Sequence, residues 1–231
     1  MSEQVRDMFA EIADTYDSTN SVLSLGIHHL WRKKTVRESG AKAGDHVLDC
    51  ATGTGDLALE FRRTVGAQGR VVGTDFCKEM LDFAPPKAAA AGFPDVEWEV
   101  QDAMNLTYAD DTFDIASISF GIRNVDDPVQ GVRSMARVVK PGGKLMILEF
   151  GQPTGIMKPL FTVYSKVVIP TVGGLISGNK DAYNYLNNTS AAFPCREAFV
   201  ELMREAANFS DVRYHTLSGG IAYLYVGTVA Q

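Results

Sequence analysis

Residues 46–75 constrain this chain more than any other stretch, because they read strand, glycine turn, helix, strand. "HVLDC" (46–50) and "RVVGTD" (70–75) are short runs of strand-forming residues. Between them "GDLALEFRRTVG" sets Leu57, Leu59, Phe61 and Val65 among polar residues and closes on Gly66, the pattern of a short helix. Strand-like and helix-like segments keep alternating from residue 45 onward, which predicts an α/β fold, a parallel sheet with helices on both faces.

Later segments refine the sheet. "FDIASISF" (113–120) and "KLMILEF" (144–150) are continuously apolar, as interior parallel strands must be. "VEWEVQD" (96–102) alternates Val96, Trp98 and Val100 with polar residues, which suits an edge strand with those three facing the core. "DPVQGVRSMARVVK" is a helix opened by Asp127 and Pro128 and stopped by "PGG" (141–143). The last helix, "CREAFVELMREAANF", precedes "DVRYHTL" and "IAYLYVG". Only Ser218-Gly219-Gly220 separates these two, so they form an antiparallel hairpin. Pro85 and Pro86 should end or kink their helix near Ala84.

One domain is expected from 231 residues. Its parts are an N-terminal helical cap (1–44), a cofactor-binding core (45–150), a lid (151–194), and a final helix and hairpin (195–231). A formal net charge of −6 without a Lys/Arg run argues against nucleic acid. Cys50, Cys77 and Cys195 have no metal-ligand spacing, so no metal is expected and a reducing cytoplasm fits. "MSEQVRDMFAEIADTY" lacks the apolar region of a secretory signal. The most apolar stretch, residues 156–178, has the length to cross a bilayer. It contains Lys158, Lys166, Pro159, Pro170 and a glycine pair, so a cover over an apolar site is the expected role.

Asp49, Asp75, Asp102 and Ser119 sit at the carboxyl ends of successive strands, and Glu149 ends the fifth. The ligand crevice of an open α/β sheet lies there. Gly53-Thr54-Gly55 lets the backbone approach a ligand before a helix whose first amides face it. "GTGDLA" fits a dinucleotide fingerprint, and Asp75 is placed to bind ribose hydroxyls; NAD and S-adenosylmethionine sites share both features. A tight turn beside a solvated Asp is the plain structural alternative.

Later motifs separate these readings. "QDAMNL", "DTFDIASISF" and "RVVKPGGKLMILEF" resemble class I S-adenosylmethionine-dependent methyltransferases. "YDSTNSVLSLGIHHLWR", "ATGTGD", "SFGIRNVDD", "LEFGQP", "AYNYL", "FP" and "GGI" are similar, in order, to the demethylmenaquinone/ubiquinone-biosynthesis C-methyltransferase family. The resemblance covers nearly the whole chain. It implies a Rossmann-like, seven-stranded, mostly parallel sheet with the last strand antiparallel, extra N-terminal helices and a helical lid after the fifth strand. It also implies methyl transfer to a ring carbon of an isoprenoid quinol. Carried over by position, the cofactor contacts are Asp49, Gly53, Thr54, Gly55, Asp75, Asp102, Ala103 and Ser119, with Asp49 near the methionine amine. Thr19 stands where the family mostly has Met, Asn187 where it mostly has Pro, and Tyr225 where a His is common.

A ring carbon becomes nucleophilic as the quinol hydroxyl loses its proton, and a fixed cation beside that oxygen helps. Arg123 is the candidate cation, Asn124 a candidate hydrogen-bonding partner of a ring oxygen, and Tyr16 a third catalytic candidate; Asp17, His28 and Glu149 complete the set. The plain alternative pairs Arg123 with Asp126 or Asp127. Demethylmenaquinol is the leading acceptor. A 2-methoxy-6-polyprenylbenzoquinol, another apolar methyl acceptor, a NAD-dependent oxidoreductase and a non-catalytic subunit are the competing readings. The expected enzyme is cytoplasmic, visits the inner face of the membrane, and has a homodimer open to it.

Overall fold

The computed structural model describes residues 3–155 and 157–231; Ile156, at the head of the apolar stretch, lies outside the described residues. Seven strands form one sheet: β1 (His46–Cys50), β2 (Arg70–Asp75), β3 (Glu97–Val100), β4 (Phe113–Ser119), β5 (Val139–Phe150), β6 (Phe209–Leu217) and β7 (Ala222–Val229). Their order is β3-β2-β1-β4-β5-β7-β6. Only β7 runs against the rest, pairing antiparallel with both β5 and β6. The hairpin and the reversed last strand agree with the sequence. β1 lies between β2 and β4, where Val47 and Leu48 lose all contact with solvent. The strand order reverses beside β1, which puts a ligand crevice at its carboxyl end.

Helices cover both faces and the top of the sheet. The N-terminal cap is α1 (Glu3–Ile12), α2 (Tyr16–Leu23) and α3 (Ile27–Ser39). Between the strands run α4 (Asp56–Val65), α5 (Lys78–Leu81), α6 (Ala84–Ala90) and α7 (Pro128–Arg137). After β5 come α8 (Met157–Val163), a π-helical turn (Tyr164–Val168), α9 (Ile169–Ser177) and α10 (Lys180–Ala192), and α11 (Glu197–Ala206) precedes the hairpin.

Three local expectations are corrected. Val100 is 55% exposed, so β3 turns only Val96 and Trp98 toward the core as its strand ends. The helix opened by Asp127 ends at Arg137, and "PGG" is carried inside β5, past a register shift between Phe113 and Ile115. The break expected near Ala84 is present, between α5 and α6, but Pro85 and Pro86 follow it: both occupy the first turn of α6, where no intrahelical N–H is needed.

Trp98 binds β3 to the glycine loop. A Cβ on Gly55 would sit 2.5 Å from its Cη2, and one on Gly73 would collide with the same ring. The indole therefore fills the space that two glycines leave. Gly73→Ala is expected to destabilise the protein by about 1–3 kcal/mol through overpacking. An unchanged urea midpoint would show that the ring moves freely.

Candidate active site

Two adjoining cavities open at the carboxyl ends of β1, β2 and β4, and Tyr16, Ala51, Gly53, Ser119 and Phe120 line both. The first extends over Asp49, Thr54 and Asp56, the second toward Asp75, Gly121 and Asn124. Ala51 (φ 46°) and Phe120 (φ 57°) are non-glycine residues in the left-handed region, one after each of β1 and β4. Such strain persists where packing fixes the turn. A Cβ on Gly121 would lie 2.5 Å from that of Ala51, which explains the glycine of "GIRN": the two strand ends touch beneath the cavities.

On the first side, Asp49 is buried and its carboxylate accepts hydrogen bonds from Ser117 Oγ and Thr52 Oγ1, each at 2.6 Å. Burial raises its pKa to about 6 against the pull of those two hydroxyls. Asp75 accepts from the backbone amides of Gly53 and Cys77 at 2.8 Å each, and burial lifts it to about 6 as well. The loop is held from outside by Asp17, which accepts from Thr54 Oγ1 at 2.7 Å and pairs with Lys87 at 2.6 Å. Lys87 also pairs with Asp56, and Asp56 with the buried Arg32 at 2.6 Å. Helix α2 is thereby clasped to the glycine loop and to α6.

On the second side, Arg123 is buried by Glu149. Their side chains are 2% and 1% exposed, and Arg123 Nη1 lies 2.6 Å from Glu149 Oε1. The same nitrogen donates to the Phe120 carbonyl at 2.6 Å, and the guanidinium lies over the Phe150 ring, 5.4 Å from its centroid. Asp127 instead caps α7, accepting from the Gln130 amide at 3.0 Å. Burial raises the Glu149 pKa even with the guanidinium beside it. Burial also raises Tyr16, while Arg123 and then Arg32 pull it back, so Arg123 is felt at the Tyr16 hydroxyl without lining the cavity. Tyr185 Oη is 3.4 Å from Asn124 Oδ1, joining α10 to the chamber.

The predicted residues divide accordingly. Tyr16, Asn124, Asp49, Gly53, Thr54, Asp75 and Ser119 line the cavities, and Gly55 shapes the loop behind them. Asp102 caps its own turn, accepting from the Met104 amide at 2.9 Å, and Ala103 packs against the core, both beyond the lining of these two cavities. His28 is buried beside Ser24 Oγ, and burial pushes its pKa down to about 4, so it stays neutral. Arg32, Thr52 and Phe120 line the first cavity without having been singled out, although each lies inside a quoted motif, "YDSTNSVLSLGIHHLWR", "ATGTGD" and "SFGIRNVDD".

The fit to an adenosyl cofactor rests on two observations. Ser119 Oγ is buried, lines both cavities and has no partner among the described residues. Two buried carboxylates also converge there with acceptor capacity remaining. The model of the ubiE/COQ5 methyltransferase family matches residues 1–229. The chain belongs to the ubiE/COQ5 methyltransferase family. It is 58% identical over 228 residues to the ubiquinone/menaquinone biosynthesis C-methyltransferase UbiE of Bdellovibrio bacteriovorus, covering 98% of this chain and 96% of that one. The demethylmenaquinone methyltransferase of Deinococcus radiodurans is 43% identical over 97% of this chain and 92% of its own.

Solved structures agree on the fold. A SAM-dependent methyltransferase from Thermotoga maritima superposes with a TM-score of 0.66 at 18% identity, over 97% of this chain and 99% of its own. One from Aquifex aeolicus gives 0.58 at 20%, over 86% and 89%. As a family member the protein is a methyltransferase with a class I, Rossmann-like sheet.

Asp49 and Asp75 give the site a pH dependence. Both are raised by burial, so the free protein takes up protons as pH falls through about 6, and a cation or hydrogen-bond donor bound at either group favours its carboxylate form. Affinity for S-adenosylhomocysteine is expected to be flat well above pH 6 and to fall below it by up to about a hundredfold per pH unit, about tenfold for each of the two carboxylates. Calorimetry in buffers of different ionisation enthalpy reads the proton release. An affinity constant down to pH 5 would contradict these assignments.

Proposed function

We propose that this methyltransferase moves a methyl group from S-adenosylmethionine to a ring carbon of an isoprenoid quinol, with demethylmenaquinol as acceptor. The observation that carries the reading is the shared wall of the two cavities. Tyr16, Ala51, Gly53, Ser119 and Phe120 border both, so a donor held over the glycine loop meets an acceptor held over Gly121 and Asn124. S-Adenosylmethionine supplies an electrophilic sulfonium methyl when bound. Everything else falls to the protein, and it is mostly positioning and exclusion of water.

Asp49 would take the methionine ammonium, Asp75 the ribose hydroxyls, and Ser119 Oγ its missing partner. Across the wall, burial keeps the Tyr16 phenol protonated and able to donate to a quinol oxygen as negative charge grows there. Asn124 offers its amide to the same oxygen or its ring partner. Arg123, paired with Glu149, acts through position and field: it holds the turn that presents Asn124 and makes the potential at Tyr16 more positive. The enzyme is read as cytoplasmic, working at the inner face of the membrane, as a monomer or a homodimer. A second acceptor is kept in view because the Bdellovibrio relative carries both ubiquinone and menaquinone in its name.

Labelled S-adenosylmethionine with reduced demethylmenaquinone and reduced 2-methoxy-6-polyprenylbenzoquinone, run side by side, tests the reading. Label is expected in the naphthoquinol; label in neither quinol would refute it. For Arg123 the ion pair dictates the variant. Arg123→Ala alone leaves Glu149 buried without its cation and is expected to cost about 3–5 kcal/mol in stability. The double variant Arg123→Met/Glu149→Leu is expected to fold and bind S-adenosylhomocysteine while losing most turnover. Unchanged turnover would remove Arg123 from the mechanism.

A further inference from the structure

Apart from Phe83 and Val100, the exposed large apolar side chains among the described residues all fall in two segments, 22–30 and 160–176. Leu25 is 82% exposed and Leu175 80%. Along the second segment Leu160, Val163, Val167 and Leu175 recur at helical spacing on the outer side, so this cover is amphipathic with an apolar stripe turned outward. The run Met157–Ile176 is long and apolar enough to cross a membrane by length and composition, and 17% of its most apolar window is buried. The two segments meet. Tyr164 Oη donates to the Leu23 carbonyl, and Leu23 and Ile169 pack in one cluster with Phe9 and Tyr16. The inner sides of these segments thus pack against Phe9 and Tyr16, which line the cavities, while their outer sides carry the exposed apolar side chains.

Charge distinguishes this face from the remainder of an acidic protein. Residues 18–37 and 150–180 contain no Asp or Glu, although the chain carries a net −6. Arg32 is spent on Asp56 and Arg37 lies beside Glu38. Lys33 stands exposed one helical turn after Leu30, and Lys158 and Lys166 stand exposed in the second segment, close in sequence to Leu160 and Val167. Apolar side chains flanked by lysines, on helices lying flat, are what a protein presents to the interface of an anionic bilayer. A second copy of this chain fits less well, since in a two-fold contact of this face with itself the two segments would bring lysines but no carboxylate to meet them.

We propose that this face docks on an anionic phospholipid leaflet. Leu25, Leu30, Leu160, Val163, Val167 and Leu175 enter the boundary between headgroups and acyl chains, and the lysines meet the phosphates. An acceptor with an isoprenoid tail then passes from the leaflet between α2 and α9–α10 into the chamber at Asn124 without its tail crossing water. The docking role rests on the acceptor reading above for its purpose, but its measurement does not.

Flotation of the intact protein with vesicles of phosphatidylcholine and phosphatidylglycerol, and with phosphatidylcholine alone, tests the proposal. The protein is expected to float with the anionic vesicles, less so as salt rises. Leu160→Asp/Val167→Asp and Lys33→Glu/Lys166→Glu are each expected to weaken binding by about tenfold or more. Both variants should keep wild-type turnover on a short, tail-less quinol, which reports folding and the acceptor reading independently of any membrane. Absence of binding by the wild type, or binding by the variants equal to it, would overturn the proposal. So would a wild-type dimer that the leucine-stripe variant splits while vesicle binding stays unchanged, because the face would then belong to a second copy.

Discussion

The arrangement of the acceptor side depends on one buried ion pair. Two charges removed from water repay their desolvation only when geometry and extra hydrogen bonds are good. Glu149 meets this by taking Arg123 Nη1 at 2.6 Å and the Phe150 amide at 2.7 Å, and Arg123 by also holding the Phe120 carbonyl. The pair fixes the turn after β4 against the end of β5. Phe120 is held in its left-handed conformation, stacked on Phe150 with centroids 4.3 Å apart, and Asn124 is presented to the chamber.

The donor side is built on a different principle. Asp49 and Asp75 are buried with small donors around them and without a directly paired cation among the described residues, so each keeps capacity to accept further hydrogen bonds. The cations nearby are committed elsewhere: Arg32 to Asp56, and Lys87 to Asp17 and Asp56. That clasp draws the N-terminal helix across the glycine loop and brings Tyr16 over both cavities. The cap therefore belongs to the site instead of being an appendage to the core. Its outer surface and that of the lid make the lysine-flanked apolar face.

Much of this was legible in the sequence. Glycines at 53 and 55 and acids at 49 and 75 pointed to the residues that line or shape the two cavities, because strand ends and tight turns leave local signatures. The hairpin was forced by its short link. Arg123 and Glu149 were both singled out, yet their pairing was not foreseen, since Glu149 reaches Arg123 only through the β4–β5 register that pairs Ser119 with Leu148. Asp17 was named, but its contacts to Thr54 and Lys87 escaped, as did Lys87 itself, for the same reason: contacts far apart in sequence leave no periodicity. Val100 failed as a core residue because it is the last residue of an edge strand and lies open to solvent there, which alternation alone does not reveal.

The central claim is that the arginine of "GIRN" works from a closed ion pair, with Tyr16 and Asn124 touching the acceptor in its place. A crystal structure with S-adenosylhomocysteine and a reduced naphthoquinol bound together tests it most directly. The account predicts that Arg123 Nη1 stays within hydrogen-bond distance of Glu149 while a quinol oxygen lies within that distance of Tyr16 Oη or the Asn124 amide. A guanidinium swung onto the quinol oxygen, with Glu149 left alone, would contradict it.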